Sequence, residues 1–106
     1  MATPTNEAQV VAAIIKTIRR SWPDAWVVKI HGGPQQRAGL PDLLVCLRGT
    51  LVGLEVKYQR PGESREHALG RATLLQRAEL ARIETAGGVG AVVLSVQEAL
   101  EVLAAI

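Results

Sequence analysis

The chain has 106 residues, 48% of them hydrophobic and 21% charged, with a formal net charge of +2. This composition excludes a disordered chain, and the length excludes several large domains, so residues 1–106 read as a single domain. One cysteine excludes an internal disulfide, and with no Phe, two Trp and one Tyr the core has to be aliphatic.

The N-terminal segment Thr5 to Arg20 has Val10, Val11, Ile14, Ile15 and Ile18 at helical spacing, with Thr5 or Asn6 placed to cap it. Glu7 falls on the apolar stripe of that helix, one turn before Val11. Taken alone, an acid in the first turn simply complements the helix dipole. Ser21 to Asp24 form a turn around Pro23, and Ala25 to His31 alternate as a strand. His31 to Leu40 follow as a glycine-rich polar loop, either a plain connector or a place where a phosphate backbone comes close. Pro41–Leu47 and Leu51–Lys57 are strands joined by a tight turn at Arg48-Gly49-Thr50. Their nearly continuous apolar character predicts cover on both faces. Cys46 lies inside this run and reads as a small core residue.

Tyr58 to Gly70 is a second polar loop. Arg71 to Ala86 is helical, with Leu74, Leu75, Ala78, Ala81 and Ile83 as its packing residues and Gly87-Gly88 as its stop. Gly90–Ser95 is a strand and Val96–Ala105 a short helix. The order α-β-β-β-α-β-α predicts a small mixed α/β sheet with helices on both faces, the last strand being delivered by a crossover.

The chemistry gathers around Pro41-Asp42 and Glu55-Val56-Lys57. A hairpin brings Asp42 and Glu55 together, and Glu55 and Lys57, two apart, share one face of their strand. Paired carboxylates repel unless a cation stands between them, and a hard divalent ion takes such oxygens readily. An adjacent lysine orients or deprotonates a water, or stabilises developing charge, which suits metal-assisted phosphodiester hydrolysis. The plain alternative is a turn-opening Pro-Asp and a solvated Glu-x-Lys strand end. Charge is unevenly spread: Lys16 to Arg77 hold eleven basic and five acidic residues, while the rest of the chain holds one basic and five acidic. A basic middle suits a polyanion on one side, against the alternative of scattered surface charge.

These elements and carboxylates resemble the PD-(D/E)xK nuclease superfamily and its VRR-NUC branch. The matching residues are Glu7, Gly39 with Pro41-Asp42, Glu55-Val56-Lys57, and Gln76 on the following helix. The resemblance implies a restriction-endonuclease-like core. It implies Mg²⁺ or Mn²⁺ held by Asp42, Glu55 and the Val56 carbonyl, with Glu7 reaching the metal or a bound water. Lys57 would position or activate the attacking water, and Gln76 would hold that water, the lysine or the phosphate. A Ser is expected at the cap before the Gln-bearing helix, where Thr73 stands here. Lys29, His31, Gln36 and Arg37, with Arg60, Arg65 and Arg71 as a second group, are expected to contact DNA phosphates. A simply exposed His31, and a surface Gln76, are the plain readings of those two residues.

Stand-alone chains of this kind resemble phage or bacterial nucleases, some of which act on four-way junctions. The expectation is therefore a homodimeric, structure-selective DNA endonuclease resolving Holliday junctions in DNA repair, in the cytoplasm of a bacterium or a phage-infected cell. The dimer surface is expected on the aliphatic strands and the helix from Val96 to Ile106. The alternatives are a flap, nick or non-specific nuclease, a non-catalytic DNA-binding module of the same fold, and an interaction protein of toxin–antitoxin type. The polar N-terminus predicts no secretory leader, and no apolar run approaches the ~20 residues a membrane span needs.

Overall fold

The computed structural model describes residues 3–106. Helix α1 (Glu7–Ser21) starts at Asn6, whose side chain accepts from the Gln9 N–H, and buries Val10, Val11, Ile14 and Ile18. Strands β1 (Trp26–Lys29), β2 (Leu43–Leu47) and β3 (Thr50–Val56) form an antiparallel meander. The β2–β3 turn has Arg48 at φ 52° and Gly49 at φ 82°. Positive φ at both central residues matches the right-handed strand twist, so a two-residue loop suffices. Helices α2 (Arg65–Gly70) and α3 (Leu74–Thr85) follow, then β4 (Val89–Val93), parallel to β3, and α4 (Val96–Ala104). The sheet order is β1-β2-β3-β4.

The expected mixed sheet, the crossover and the helices on both faces are all present. Leu43, Val45, Leu47, Val52, Leu54 and Val56 point to one side, where α1 and α4 close the aliphatic core with Ile14, Ile18, Ala99 and Leu103. The other side, carrying Gly53 and Glu55, faces α3. That helix lies very close to the sheet because glycines stand under it. A Cβ on Gly90 would lie 2.6 Å from the Leu80 carbonyl oxygen and 2.9 Å from its Cβ. Gly90→Ala is therefore expected to push α3 outward and destabilise the fold by about 2 kcal/mol. A denaturant titration with unchanged midpoint would refute this packing.

Three expectations need correction. The segment from Tyr58 to Gly70 is not all loop: Ser64 caps α2 by accepting from the His67 N–H. The packing face of α3 is displaced. Leu74 is 87% and Leu75 60% exposed, Ala78 and Ala81 are also exposed, and Leu80 is the buried residue, with Ile83 against Gly53 and Gly88. Apolar residues lie all round this helix, so their spacing did not single out the face that the glycines admit. Third, α4 offers no free apolar face of the expected kind, because it packs on α1 and buries Ala99 and Leu103. Among the described residues the exposed large apolar side chains are Trp26, Leu51, Leu74 and Leu75. Trp26 and Leu51 flank Cys46 in one cross-strand row on the α3 side of the sheet, where α3 covers mainly β3 and β4.

Candidate active site

Sheet register makes the site. Leu43 faces Leu54, so one step outward Asp42 stands opposite Glu55. Asp42 is pinned from both sides. Its carbonyl accepts from the Ile30 N–H at 2.8 Å, and its carboxylate Oδ2 accepts from the Val56 N–H at 2.7 Å. β2 has ended at this level, so the Val56 N–H takes a side-chain acceptor in place of a ladder partner. In an extended strand the N–H and C=O of one residue point to the same side, which turns the Val56 carbonyl toward the Asp42 side as well.

Glu55 is the only buried charged or polar residue among the described residues, at 2% exposure. The Lys57 Nζ donates to its Oε2 at 3.1 Å, as their two-residue spacing predicts. Its Oε1 is buried with no hydrogen-bond partner. Burial, and then the charge of Asp42, push the Glu55 carboxyl up from 4.5 to about 7, against the opposing pull of Lys57. A carboxyl raised by burial beside a second carboxylate marks this position as a candidate functional site.

Glu7 reaches the same lysine from the first turn of α1. Its Oε1 lies 3.8 Å from the Lys57 Nζ and is likewise buried without a hydrogen bond. Glu7, Glu55 and Lys57 are thus brought together, with Asp42 opposite Glu55. Among the described residues, no group of three His, Cys, Asp or Glu side chains converges as a ready-made metal cage. Glu7 meets the carboxylate pair through Lys57. Gln76 is partly buried on α3, and its carbonyl oxygen accepts from the Thr73 N–H at 2.9 Å while Thr73 Oγ1 accepts from the Gln76 N–H at 3.1 Å. Thr73 is therefore the cap where a Ser was expected. The reciprocal box engages the Gln76 oxygen and leaves its amide NH₂ as the free donor.

Two clefts flank this centre. One, about 280 Å³, is lined by Ile30, Gly33, Gln36, Arg37 and Gly39 and opens on Asp42. The other, about 450 Å³, is lined by Thr5, Asn6, Glu7, Tyr58, Arg60 and Arg71. Gly39, at φ 85°, lets the first loop touch α3: a Cβ there would lie 2.8 Å from the Leu75 backbone. Of the expected phosphate contacts, Lys29, His31, Gln36 and Arg60 are exposed. Arg37 is paired with Glu79 at 2.6 Å, Arg65 with Glu98, and Arg71 with Glu63 at 2.9 Å.

Glu63 was not singled out from the sequence. It accepts from the Arg60 N–H, from Arg71 Nε and Nη2, and pairs with His67 Nδ1 at 2.6 Å. Arg71 first, and then the Arg60 N–H, hold its carboxyl down at about 2. The four- and eight-residue spacings to His67 and Arg71 were the available signal, but only the short helix between them makes that spacing meaningful.

No family model matches the sequence, and no curated protein matches it. Among helices of the described residues none is long and apolar enough to cross a membrane. A solved structure titled "VRR_NUC domain" superposes with a TM-score of 0.67 and 24% identity, over 94% of this chain and 96% of that one. At that identity the likeness is one of fold, and this chain has the restriction-endonuclease-like α/β fold of a VRR_NUC domain.

Proposed function

We propose that this chain is a VRR-NUC-type, metal-dependent, structure-selective DNA endonuclease, acting as a homodimer on four-way junctions. The observation that carries the reading is Glu55: a buried carboxylate facing Asp42, held by Lys57 on one oxygen and left without a hydrogen bond on the other. Such a group is expensive to keep in a core this small unless something binds it. The residues fit a divalent cation, with an unpartnered buried oxygen, an opposing carboxylate and the Val56 carbonyl on the same side. Asp42, Glu55 and Val56 would hold Mg²⁺ or Mn²⁺, and Glu7 would act through a bound water. The bound ion would supply Lewis-acid stabilisation of charge at the scissile phosphate.

Lys57, anchored between Glu55 and Glu7, is placed to orient the attacking water and to offset negative charge as the phosphate is attacked. The free amide of Gln76 is a donor for the water or a phosphate oxygen. Gln36 and Arg37 along one cleft and Arg60 along the other give the DNA backbone polar and positive contacts on both sides of the carboxylates, with the exposed Lys29 and His31 as outlying contacts. The partly uncovered row of Trp26, Cys46 and Leu51 is apolar surface of the kind that self-association covers. A two-fold dimer would present two cutting sites to one symmetric junction.

Cleavage of a labelled four-way junction beside a duplex and a flap, with Mg²⁺, Mn²⁺ or EDTA, tests the activity. Paired cuts on the junction alone, abolished by EDTA, are expected. Cuts on the flap or duplex would retain the chemistry and move the substrate, whereas salt-sensitive binding without any cutting would leave a DNA-binding module. Light scattering at micromolar concentration should return twice the monomer mass.

A further inference from the structure

Beyond its last ladder bond, Lys57 N–H to Val93 O at 3.0 Å, the chain leaves the sheet with no neighbouring strand to hold it. One residue on, the carbonyl of Tyr58 accepts from Arg71 Nη2. Arg71 reaches it from the C-terminal cap of α2, while its Nε and Nη2 also donate to the two oxygens of Glu63 at 3.2 and 2.9 Å. Glu63 in turn accepts from the Arg60 N–H at 2.9 Å, and its own carbonyl accepts from Gln59 Nε2 at 2.9 Å. Gly62 at φ 79° makes the turn that returns Glu63 over Arg60. The result is a closed ring of bonds from residue 58 to residue 71, fastened immediately after Lys57.

We infer that Glu63 and Arg71 are positioning residues for Lys57: their clasp on the Tyr58 carbonyl fixes where the strand end leaves the sheet and so where the lysine amine stands. This rests on the nuclease reading for its catalytic consequence, though not for its structural one. The alternative use of Arg71, a direct phosphate contact, competes with it, because the guanidinium is already committed to Glu63 and Tyr58 and is 26% exposed. A bidentate guanidinium suits the task where a point-charge ammonium does not, since it bonds a carbonyl and a carboxylate at once in a fixed plane.

The test combines kinetics with a readout that needs no activity. Lys16, Lys29 and Lys57 are the only lysines of the chain. Reductive ¹³C-methylation therefore gives few lysine signals, and Lys57→Arg assigns the one of interest. In Arg71→Ala and Glu63→Gln, the Lys57 signal is expected to move toward those of Lys16 and Lys29, which stay in place. On the unmethylated protein kcat should fall about 10- to 100-fold with little change in KM, as for a displaced catalytic group. Millimolar guanidinium should restore part of the lost rate in Arg71→Ala, and Arg71→Lys should remain impaired. A Lys57 signal and kcat both unchanged would overturn the proposal. A raised KM with unchanged kcat would overturn it in favour of a phosphate contact. If Arg71→Ala does not fold, Glu63→Gln, which keeps shape and loses charge, decides alone. A wild type that cuts nothing would defeat the nuclease reading, while the lysine signals would still judge the clasp.

Discussion

Glu55→Gln is expected to make the protein more stable and inactive at once. The glutamine mimics the protonated acid that this pocket prefers. With its carboxyl raised from 4.5 to about 7, ionised Glu55 destabilises the metal-free fold by about 3 kcal/mol once the pH exceeds both values. Between those two values the folded protein binds more protons than the unfolded chain. Metal-free wild type should therefore be most stable below about 4.5 and lose stability as the pH rises through about 7, so far as this group is concerned. In Glu55→Gln that slope should vanish and the neutral-pH melting temperature should rise by several degrees. Cleavage should fall about a thousandfold or more, the several kcal/mol that charge stabilisation at such a site supplies. Differential scanning calorimetry from pH 4 to 8 in EDTA, beside a junction-cleavage assay, reads both. A variant less stable than wild type at pH 7 would mean that the Lys57 pair outweighs burial and the Asp42 repulsion.

Asp42 should separate charge from structure in the same way. Asp42→Asn keeps an oxygen for the Val56 N–H and removes the negative charge opposite Glu55. Folding is expected to be preserved, DNA binding kept and cutting lost. Asp42→Ala leaves the Val56 N–H without its acceptor and should cost about 1–3 kcal/mol. Mg²⁺ or Mn²⁺ should raise the melting temperature of wild type by mass action and do so weakly in Asp42→Asn or Glu55→Gln. A cation that stabilises all three equally would remove these carboxylates as its ligands. Equal unfolding of the Asn and Ala variants would remove the catalytic assignment of Asp42, leaving a structural cap.

Residue order alone determined most of the framework. Periodicity of three and four marks α1, and two apolar runs around Arg48-Gly49-Thr50 mark the β2–β3 hairpin, but its register came from the structure, where Arg48-Gly49 alone make the loop and Thr50 already pairs with Leu47. The shared face of Glu55 and Lys57 follows from their spacing of two, whereas the opposition of Asp42 and Glu55 follows from the two-residue loop. These are local patterns, written in spacings of two, three and four. Tertiary structure decided what such spacings do not encode. Glycines 53, 88 and 90 choose the face of α3 that meets the sheet, so Leu80 is buried while Leu74 and Leu75 are exposed. Glu7 comes within reach of Lys57 only because α1 packs against the core with its first turn beside that lysine. Glu63 becomes a hub only when α2 folds Arg71 back over the strand end. Most telling is Glu55 itself: a sequence shows a carboxylate, but whether it is solvated or buried with one oxygen unpartnered depends on desolvation by elements distant in the chain.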